Sequence, residues 1–149
     1  MNNAQNIMSK KAIAVESSSS VLDVAKLMDK NKVSGVIITK DGKPYGIITE
    51  RDMLSKISSQ NKKPSEVKAG DIMSFPLVIV TPLTPVDEIV EKMILNKIRR
   101  IVVSNGDETL GIITVTDFIK HFHSMLSSDK EYNKKLYQDL IEDWEYWAY

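Results

Sequence analysis

The chain repeats one stretch of its sequence further along. Residues 46–54 read "GIITERDML" and residues 111–119 read "GIITVTDFI". Without a gap, the same register aligns residues 7–54 with residues 72–119, and 13 of these 48 positions are identical. Chance does not maintain an ungapped register of that length, so we infer two copies of one structural unit. A copy of about 50 residues buries only a marginal core by itself, so we expect the copies to form a closed pair.

Each copy begins with a predicted strand and helix. The β-branched runs "AIAVE" at 12–16 and "LVIVT" at 77–81 are typical of short strands that end in a turn. Ser20 and Thr84 then occupy N-cap positions, with Pro85 in the first turn. Apolar residues at helical spacing follow: Val21, Val24, Ala25, Leu27 and Met28 in the first copy, and Val86, Ile89, Val90, Met93 and Ile94 in the second.

Two further apolar runs in each copy predict a β-hairpin. "GVIIT" and "RIVVS" lead through turn residues to "GIIT", so Asp41-Gly42 and Asn105-Gly106 lie at the hairpin tips. A second helix follows each "GIIT", at about residues 50–59 and 115–126. We therefore expect a mixed α/β (α+β) fold of two β-α-β-β-α repeats, packed pseudo-symmetrically through their sheets, plus a C-terminal helix.

The repeat register also predicts the domain boundaries: repeat 1 at residues 1–57, a linker at 58–70, repeat 2 at 71–126 and a helical tail at 127–149. In the tail, an apolar stripe at helical spacing accompanies acidic residues. The stripe consists of Leu136, Leu140, Trp144 and Trp147. Two interpretations stay open, a helix that docks on this module or its dimer mate, and a contact for another protein.

Composition excludes several classes of function. The 20 basic and 20 acidic residues leave no net charge to attract nucleic acid or an anionic membrane. The absence of cysteine excludes disulfides, thiol catalysis and thiolate metal sites. No apolar run has membrane-spanning length and the N-terminus lacks the apolar core of a signal peptide, so we expect a cytoplasmic protein. His121 and His123 do not share a helix face, and no nucleophile–base pair is apparent, so we expect neither a metal site nor an enzyme.

The segment "GIITERD" carries the candidate binding chemistry. A strand that ends just before a helix places Thr49 and Asp52 at the helix N-terminus, where free N–H groups attract an anion. The threonine hydroxyl suits a phosphate, and the carboxylate suits the two hydroxyls of a ribose. Thr114 and Asp117 repeat the arrangement. The alternative is simple N-capping. The segment alone favours capping. Gly46, Gly111 and the recurrence of the two sites in register favour binding instead, because capping does not need an aspartate three residues on.

The "IMS" opening, the β-α-β-β-α body and the closing Gly-apolar-apolar-Thr-x-x-Asp resemble the cystathionine-β-synthase (CBS) domain. The tandem pair resembles a stand-alone Bateman module, over about residues 6–126. This resemblance implies a regulatory sensor of adenosine ligands that changes conformation or partner affinity, and a homodimer. AMP, ADP, ATP and S-adenosylmethionine all fit the resemblance, and the regulated partner is not specified.

The resemblance also implies two shared clefts. The main nucleotide cleft would consist of Thr49, Arg51, Asp52, Met73, Leu77, Val78, Ile98, Arg99 and Arg100. The second cleft would consist of Met8, Ala12, Ile13, Val33, Ser34, Gly35, Thr114, Thr116 and Asp117. The main cleft is expected to bind more tightly. In the repeat alignment its Arg99-Arg100 correspond to Ser34-Gly35 of the second cleft, and guanidinium pairs well with phosphate.

Two other functional classes are retained as alternatives. In the first alternative, the chain is a structural dimerisation module whose clefts are vestigial. In the second and weaker one, the lysines of "SKK" and "NKK" bind nucleic acid. Homodimer formation is expected because the second helices carry apolar residues predicted to be exposed: Met53, Leu54 and Ile57 in copy one, and Phe118, Ile119, Phe122 and Met125 in copy two.

Overall fold

The computed structural model describes residues 2–10, 12–106 and 108–126 of the 149-residue chain. The predicted helical tail at 127–149 lies outside the described residues. The described chain forms two compact units. Unit 1 comprises residues 2–10, 79–105 and 110–126, and unit 2 comprises Ala12–Val78 with Gly106–Thr109. The described residues form two sheets, each of three strands.

The elements follow the predicted order, with one additional short helix before each repeat. In chain order they are α1 (Ala4–Ile7), β1 (Ala14–Glu16), α2 (Val21–Asn31), β2 (Gly35–Lys40), β3 (Lys43–Thr49), α3 (Glu50–Asp52), α4 (Ala69–Ile72), β4 (Ile79–Val80), α5 (Val86–Asn96), β5 (Arg100–Ser104), β6 (Thr109–Thr114) and α6 (Val115–Leu126). Short 3-10 turns occupy Ser58–Gln60 and Pro64–Glu66.

Both sheets have the strand order expected for β-α-β-β-α. In the first sheet β2 lies in the centre, parallel to β1 and antiparallel to β3. In the second sheet β5 lies in the centre, parallel to β4, with β6 on its other side. The central strands carry runs of buried apolar residues, Val36–Ile38 in β2 and Ile101–Val103 in β5. The predicted mixed α/β fold is confirmed.

The helix α2 begins as predicted, but α5 does not. Ser20 is the N-cap of α2, and its hydroxyl accepts a hydrogen bond from the Asp23 amide at 3.1 Å. The prediction that Thr84 caps α5 is wrong. Pro85 occupies the N-cap position, while the Thr84 hydroxyl accepts from the Thr81 amide at 3.0 Å. A hydroxyl one residue too early closes the preceding turn instead of capping the helix.

The tip of the first hairpin is where the sequence predicts it. Asp41 and Gly42 both have positive φ, 52° and 76°. Two consecutive positive φ values are the signature of a type I′ turn, which matches the twist of the flanking strands. The Gly42 amide also donates to the Glu16 carboxylate at 2.7 Å. In the second hairpin Gly106 has a φ of 124°.

The second helices differ between the repeats. The predicted helix at 115–126 is confirmed as α6. The predicted helix at 50–59 is only partly right, because α3 ends at Asp52 and continues as a π-helical turn over Met53–Ile57. Wider turns of this kind change which side chains face inward.

The predicted exposure of these helices is also only partly right. Ile57 and Phe118 are buried, at 4% and 8% exposure, so they belong to the interior. Leu54 and Phe122 are exposed, at 62% and 54%. Met53 and Ile119 are half-buried. The Met125 side chain lies outside the described side chains. The apolar surface available for dimerisation is therefore smaller than the sequence predicts.

Each unit combines the body of one repeat with the opening segment of the other. We use this name for the stretch from the short helix up to the first strand, residues 2–10 in unit 1 and residues 69–78 in unit 2. In unit 2 the Ala69 amide donates to Ser19 O at 2.8 Å, and the Val21 amide donates to Val67 O at 2.8 Å. Unit 1 repeats these bonds 65 residues away. There the Ala4 amide donates to Thr84 O at 2.9 Å, and the Val86 amide donates to Asn2 O at 3.3 Å. The short helices α4 and α1 are held in this way.

The exchanged segment supplies part of the core. In unit 2 the buried cluster around α2 and β2 includes Ala69, Ile72 and Met73, which come from α4 and its end. Fully burying a side chain as large as isoleucine or methionine is worth roughly 1.5–3 kcal/mol. The first repeat therefore depends for its core on Ile72 and Met73, which the sequence register assigns to the second repeat, and on Ala69 at the end of the predicted linker.

A glycine in each hairpin permits the opening segment to approach. Ile47 and Ser74 pair through two backbone hydrogen bonds, at 3.0 and 2.8 Å, beside Gly46. A Cβ on Gly46 would lie 2.8 Å from Ser74 O and 2.9 Å from Met73 Sδ. In unit 1 a Cβ on Gly111 would lie 2.6 Å from Ser9 O. The close approach requires glycine for its lack of a side chain, not for its φ.

We expect Gly46→Ala and Gly111→Ala each to lower the free energy of unfolding by about 1–3 kcal/mol, because the backbone oxygen in contact cannot rotate away. Gly42→Asn is the matched control, since that turn position has open space and asparagine tolerates positive φ. Urea unfolding followed by circular dichroism measures the difference. Equal losses for Gly46→Ala and Gly42→Asn would contradict the steric explanation.

Candidate functional site

The Thr-x-x-Asp segment of unit 2 forms a reciprocal cap at the start of α3. The Asp52 amide donates to the Thr49 hydroxyl at 3.4 Å. In return, the Thr49 amide and hydroxyl donate to Asp52 Oδ2 at 2.9 and 3.2 Å. This is a capping box in which aspartate takes the place of the usual glutamate.

The other carboxylate oxygen of Asp52 contacts two further side chains. Ser74 Oγ donates to Asp52 Oδ1 at 2.9 Å. Lys56 Nζ lies 3.0 Å from the same oxygen. Asp52 itself is buried, with 7% of its surface exposed. Burial of a carboxylate is costly unless a charged partner and hydrogen bonds compensate its lost hydration, and here both are present.

Lys56 also connects this carboxylate to the exchanged segment. Its ammonium donates to Ile72 O at 2.7 Å and to Ser74 Oγ at 3.3 Å. Ile72 ends α4, and Ser74 pairs with β3 two residues later. The carboxylate, the ammonium and the hydroxyl therefore form one polar cluster where the hairpin, α3 and the opening segment of the second repeat meet.

The Thr-x-x-Asp segment of unit 1 has the same cap at the start of α6. The Thr114 amide and hydroxyl donate to Asp117 Oδ2 at 2.7 and 2.9 Å, and the Asp117 amide donates to the Thr114 hydroxyl at 3.3 Å. Asp117 is only half-buried. The residue that corresponds to Lys56 is His121, whose Nε2 lies 2.8 Å from the side-chain Nδ2 of Asn2 and forms a hydrogen bond with it.

These caps correct one step of the sequence argument. The expectation that capping does not need an aspartate three residues on is wrong, because in both units this aspartate closes the capping box. The Thr-x-x-Asp spacing is therefore explained by local structure alone. A binding role rests instead on the in-register duplication and on the family resemblance.

The predicted site residues divide between the units. Of the main set, unit 2 holds Thr49, Arg51, Asp52, Met73, Leu77 and Val78, and unit 1 holds Ile98, Arg99 and Arg100. Of the second set, unit 1 holds Met8, Thr114, Thr116 and Asp117, and unit 2 holds Ala12, Ile13, Val33, Ser34 and Gly35. Each set draws on both units, so the two clefts stay predictions.

Within unit 2 the structure brings several of these residues together. Met73 Sδ approaches Gly46, and the Leu77 amide donates to Tyr45 O at 3.2 Å, so the segment runs antiparallel to β3 and away from Thr49. The Glu50 amide donates to Ser34 O at 3.2 Å. The start of β2 therefore lies beside the cap of α3, although the resemblance assigns Ser34 to the other cleft.

The sequence analysis missed Lys56 and Ser74 in the carboxylate cluster. Lys56 follows Asp52 by four residues, a spacing at which helical side chains meet, so this contact had a sequence signal. Ser74 is identical to its repeat counterpart Ser9, which was a weaker signal.

Among the residues described, no helix combines the length and apolar character needed to cross a membrane.

Comparison with known proteins agrees with the duplicated architecture. The CBS domain family model matches residues 4–59 and 69–124. The uncharacterized protein MK0525 of Methanopyrus kandleri is 35% identical over 121 residues, which cover 80% of this chain. The chain spans 62% of the length of that relative.

Two solved structures share the fold. The hexameric CBS-CP12 protein from bloom-forming cyanobacteria has a TM-score of 0.76 and 29% identity, over 95% of this chain and 84% of that one. The CBS domain pair of protein MJ0100, in complex with 5-methylthioadenosine and S-adenosyl-L-methionine, has a TM-score of 0.74 and 28% identity. That match covers 84% of this chain and 98% of the other.

The contacts of the two carboxylates predict unequal effects on stability. Asp52→Ala removes the cap and leaves Lys56 without its carboxylate, so we expect a loss of about 1–3 kcal/mol. Asp117→Ala removes a more exposed cap, so we expect it to lower the free energy of unfolding by about 1 kcal/mol. Glu50→Ala, at an exposed first-turn position, controls for the change of charge. Urea midpoints at neutral pH would decide, and a larger loss for Asp117→Ala would contradict this ranking.

Proposed function

Because this chain belongs to the CBS domain family, as a tandem pair of CBS domains, we propose that it is a regulatory module that binds an adenine nucleotide. Binding would change its conformation or its affinity for a partner protein. We propose AMP, ADP or ATP as the ligand class, with S-adenosylmethionine as the alternative. In this proposal the module senses a ligand and carries out no reaction.

The observation that carries this proposal is the presence of two Thr-x-x-Asp caps in register, each beside a strand that is paired with an exchanged opening segment. The CBS pair of MJ0100, whose fold this chain shares, has 5-methylthioadenosine and S-adenosyl-L-methionine bound. Both ligands contain adenosine. An adenosine moiety offers an apolar base and a ribose diol, which suit apolar side chains and a carboxylate.

In the proposed main site each chemical group of the ligand has a matching residue. The base would contact apolar residues such as Met73 and Leu77, and the ribose hydroxyls would donate to the Asp52 carboxylate. Thr49 and the guanidinium groups of Arg99 and Arg100 would hold the phosphate, since guanidinium forms paired charge-assisted hydrogen bonds. The second site has Ser34 and Gly35 at the corresponding positions and would bind more weakly.

Regulation requires that the ligand binds one arrangement of the chain more tightly than another. The exchanged opening segments offer a physical route for such coupling. Ser74 contacts Asp52 through its side chain and β3 through its backbone. A ligand that moves the carboxylate would therefore act on a segment that also supplies Ile72 and Met73 to the core.

We expect calorimetry with AMP and ATP to show two binding events of different strength. Asp52→Ala and Arg100→Ala should remove the tighter event, and Asp117→Ala only the weaker one. A charge-assisted contact is worth about 1.5–3 kcal/mol, which is roughly ten- to a hundredfold in affinity. Circular dichroism of each variant would establish that it remains folded.

The opposite pattern would overturn the assignment of sites. If Asp117→Ala abolishes the tight event while Arg100→Ala leaves it unchanged, the main site is the one that contains Thr114. The absence of binding to the wild type, with AMP, ATP and S-adenosylmethionine all tested, would contradict the proposed function itself.

A structural dimerisation module is the second candidate function. It is favoured by one observation, that the Thr and Asp side chains of both caps already have complete local roles in capping. A scaffold would need these residues for stability and no ligand. It would bind neither AMP nor ATP, so calorimetry with these ligands separates the two functions.

Both candidate functions include a homodimer. Leu54 and Phe122 are large apolar residues exposed on the second helical segment of each repeat. We expect sedimentation at micromolar concentration to show a dimer, and Leu54→Asp with Phe122→Asp to shift it toward monomer, since a charge in an apolar interface is costly. Lys62→Asp, at an exposed position, is the control. A wild type that sediments only as a monomer would argue against the dimer.

A further inference from the structure

From the contacts of Asp52 we infer that Lys56 is an affinity-determining residue of this site. Lys56 contacts the carboxylate that a ribose would use, and it must release this carboxylate before the ligand binds. The inference rests on the proposed function. It adds a residue and a physical property, the competition between an internal ammonium and the ligand for one buried carboxylate.

The first step is a count of the acceptor positions on the carboxylate. An ionised carboxylate accepts about four hydrogen bonds, two on each oxygen. The Thr49 amide and hydroxyl use Oδ2, at 2.9 and 3.2 Å. Ser74 Oγ and Lys56 Nζ use Oδ1, at 2.9 and 3.0 Å. A ribose hydroxyl that donates to this carboxylate therefore has to replace an existing donor.

The second step identifies which donors are exchangeable. The Thr49 bonds belong to the cap of α3, and their loss would expose an unpaired helix end. Lys56 has alternatives, because its ammonium has three donors and also contacts Ile72 O at 2.7 Å and Ser74 Oγ at 3.3 Å. Its side chain is 37% exposed, compared with 9% for Asp52. Lys56 can therefore turn to these partners or to water at the lowest cost.

The third step uses the second repeat as an internal comparison. The position that corresponds to Lys56 holds His121, which contacts Asn2. The Asp117 carboxylate accepts from Thr114 as Asp52 accepts from Thr49. The two repeats keep the cap and differ in the residue one turn later. A lysine at this position is therefore not a requirement of the cap.

A measurable property follows from the ionic character of the competitor. Salt screens a partly exposed ion pair, and it has little effect on hydrogen bonds from neutral hydroxyls. Adenosine carries no charge, so its own contacts add no comparable salt dependence. If Lys56 competes for the carboxylate, adenosine should bind more tightly to the wild type as ionic strength rises.

The experiment is a titration of the full chain with adenosine at low and high ionic strength, followed by the amide NMR signals of Thr49 and Asp52. The Thr114 amide reports on the other site in the same sample. The variants are Lys56→Met, Lys56→Gln and Lys56→Arg. Glutamine keeps a donor for Ile72 O without the charge, so it tests the inference even where methionine prevents folding. Lys63→Met is the control, since Lys63 forms an exposed pair with Glu66 at 4.0 Å.

We expect Lys56→Met and Lys56→Gln to tighten adenosine binding at the Thr49 site by roughly three- to tenfold at low salt, and to remove the salt dependence. Lys56→Arg should keep both the weaker affinity and the salt dependence. The control should match the wild type, and the Thr114 site should not change. Binding by the neutral variants together with no detectable binding by the wild type would support the competition even more strongly.

Two results would overturn the inference, and they are distinguishable. Neutral variants that bind adenosine no more tightly than the wild type, with an unchanged salt dependence, would show that Lys56 does not compete, while the proposed function stands. A Thr49 amide that responds to adenosine in neither the wild type nor any variant would reject the proposed function at this site and the inference with it.

Discussion

The structure depends on the pairing of each closing hairpin strand with the opening segment of the other repeat. Two backbone hydrogen bonds join Ile47 of β3 to Ser74, and two equivalent bonds join Ile112 to Ser9 in the other unit. These short contacts exclude a side chain at positions 46 and 111. They also set the position of α4, whose residues complete the core around α2. Without this exchange neither repeat would have a complete interior.

The same pairing brings the polar cluster together. Ser74 reaches Asp52 because its backbone is fixed against β3, and Lys56 reaches both because the helical segment after Thr49 returns past the end of α4. The fold thereby supplies hydrogen-bond partners to a carboxylate that is only 7% exposed. Ligand binding at such a group is an exchange of hydrogen bonds, so its strength depends on what the carboxylate gives up as well as on what it gains.

Duplication has preserved the scaffold of the two units and varied their chemistry. Both caps use the same atoms at nearly the same distances. The neighbouring residues differ, with Lys56 in one repeat and His121 in the other, and with Arg51 corresponding to Thr116. In a pair of this kind each copy is a control for the other, since any residue absent from one cap is not needed to fold it. The differences are therefore the positions at which specificity can change without loss of the fold.

Local patterns in the sequence determined the order of the elements, the Ser20 cap, the Asp41-Gly42 turn and the recurrence of Thr-x-x-Asp. These depend on spacing, side-chain type and φ preference within a few residues, which a single sequence displays. Only the tertiary structure decided that the two repeats exchange their opening segments. It also decided that Ile57 and Phe118 are buried, and that Lys56 and Ser74 share the Asp52 carboxylate. Pairings such as Ile47 with Ser74 join residues far apart in the chain, and their geometry arises from packing, which local periodicity does not encode.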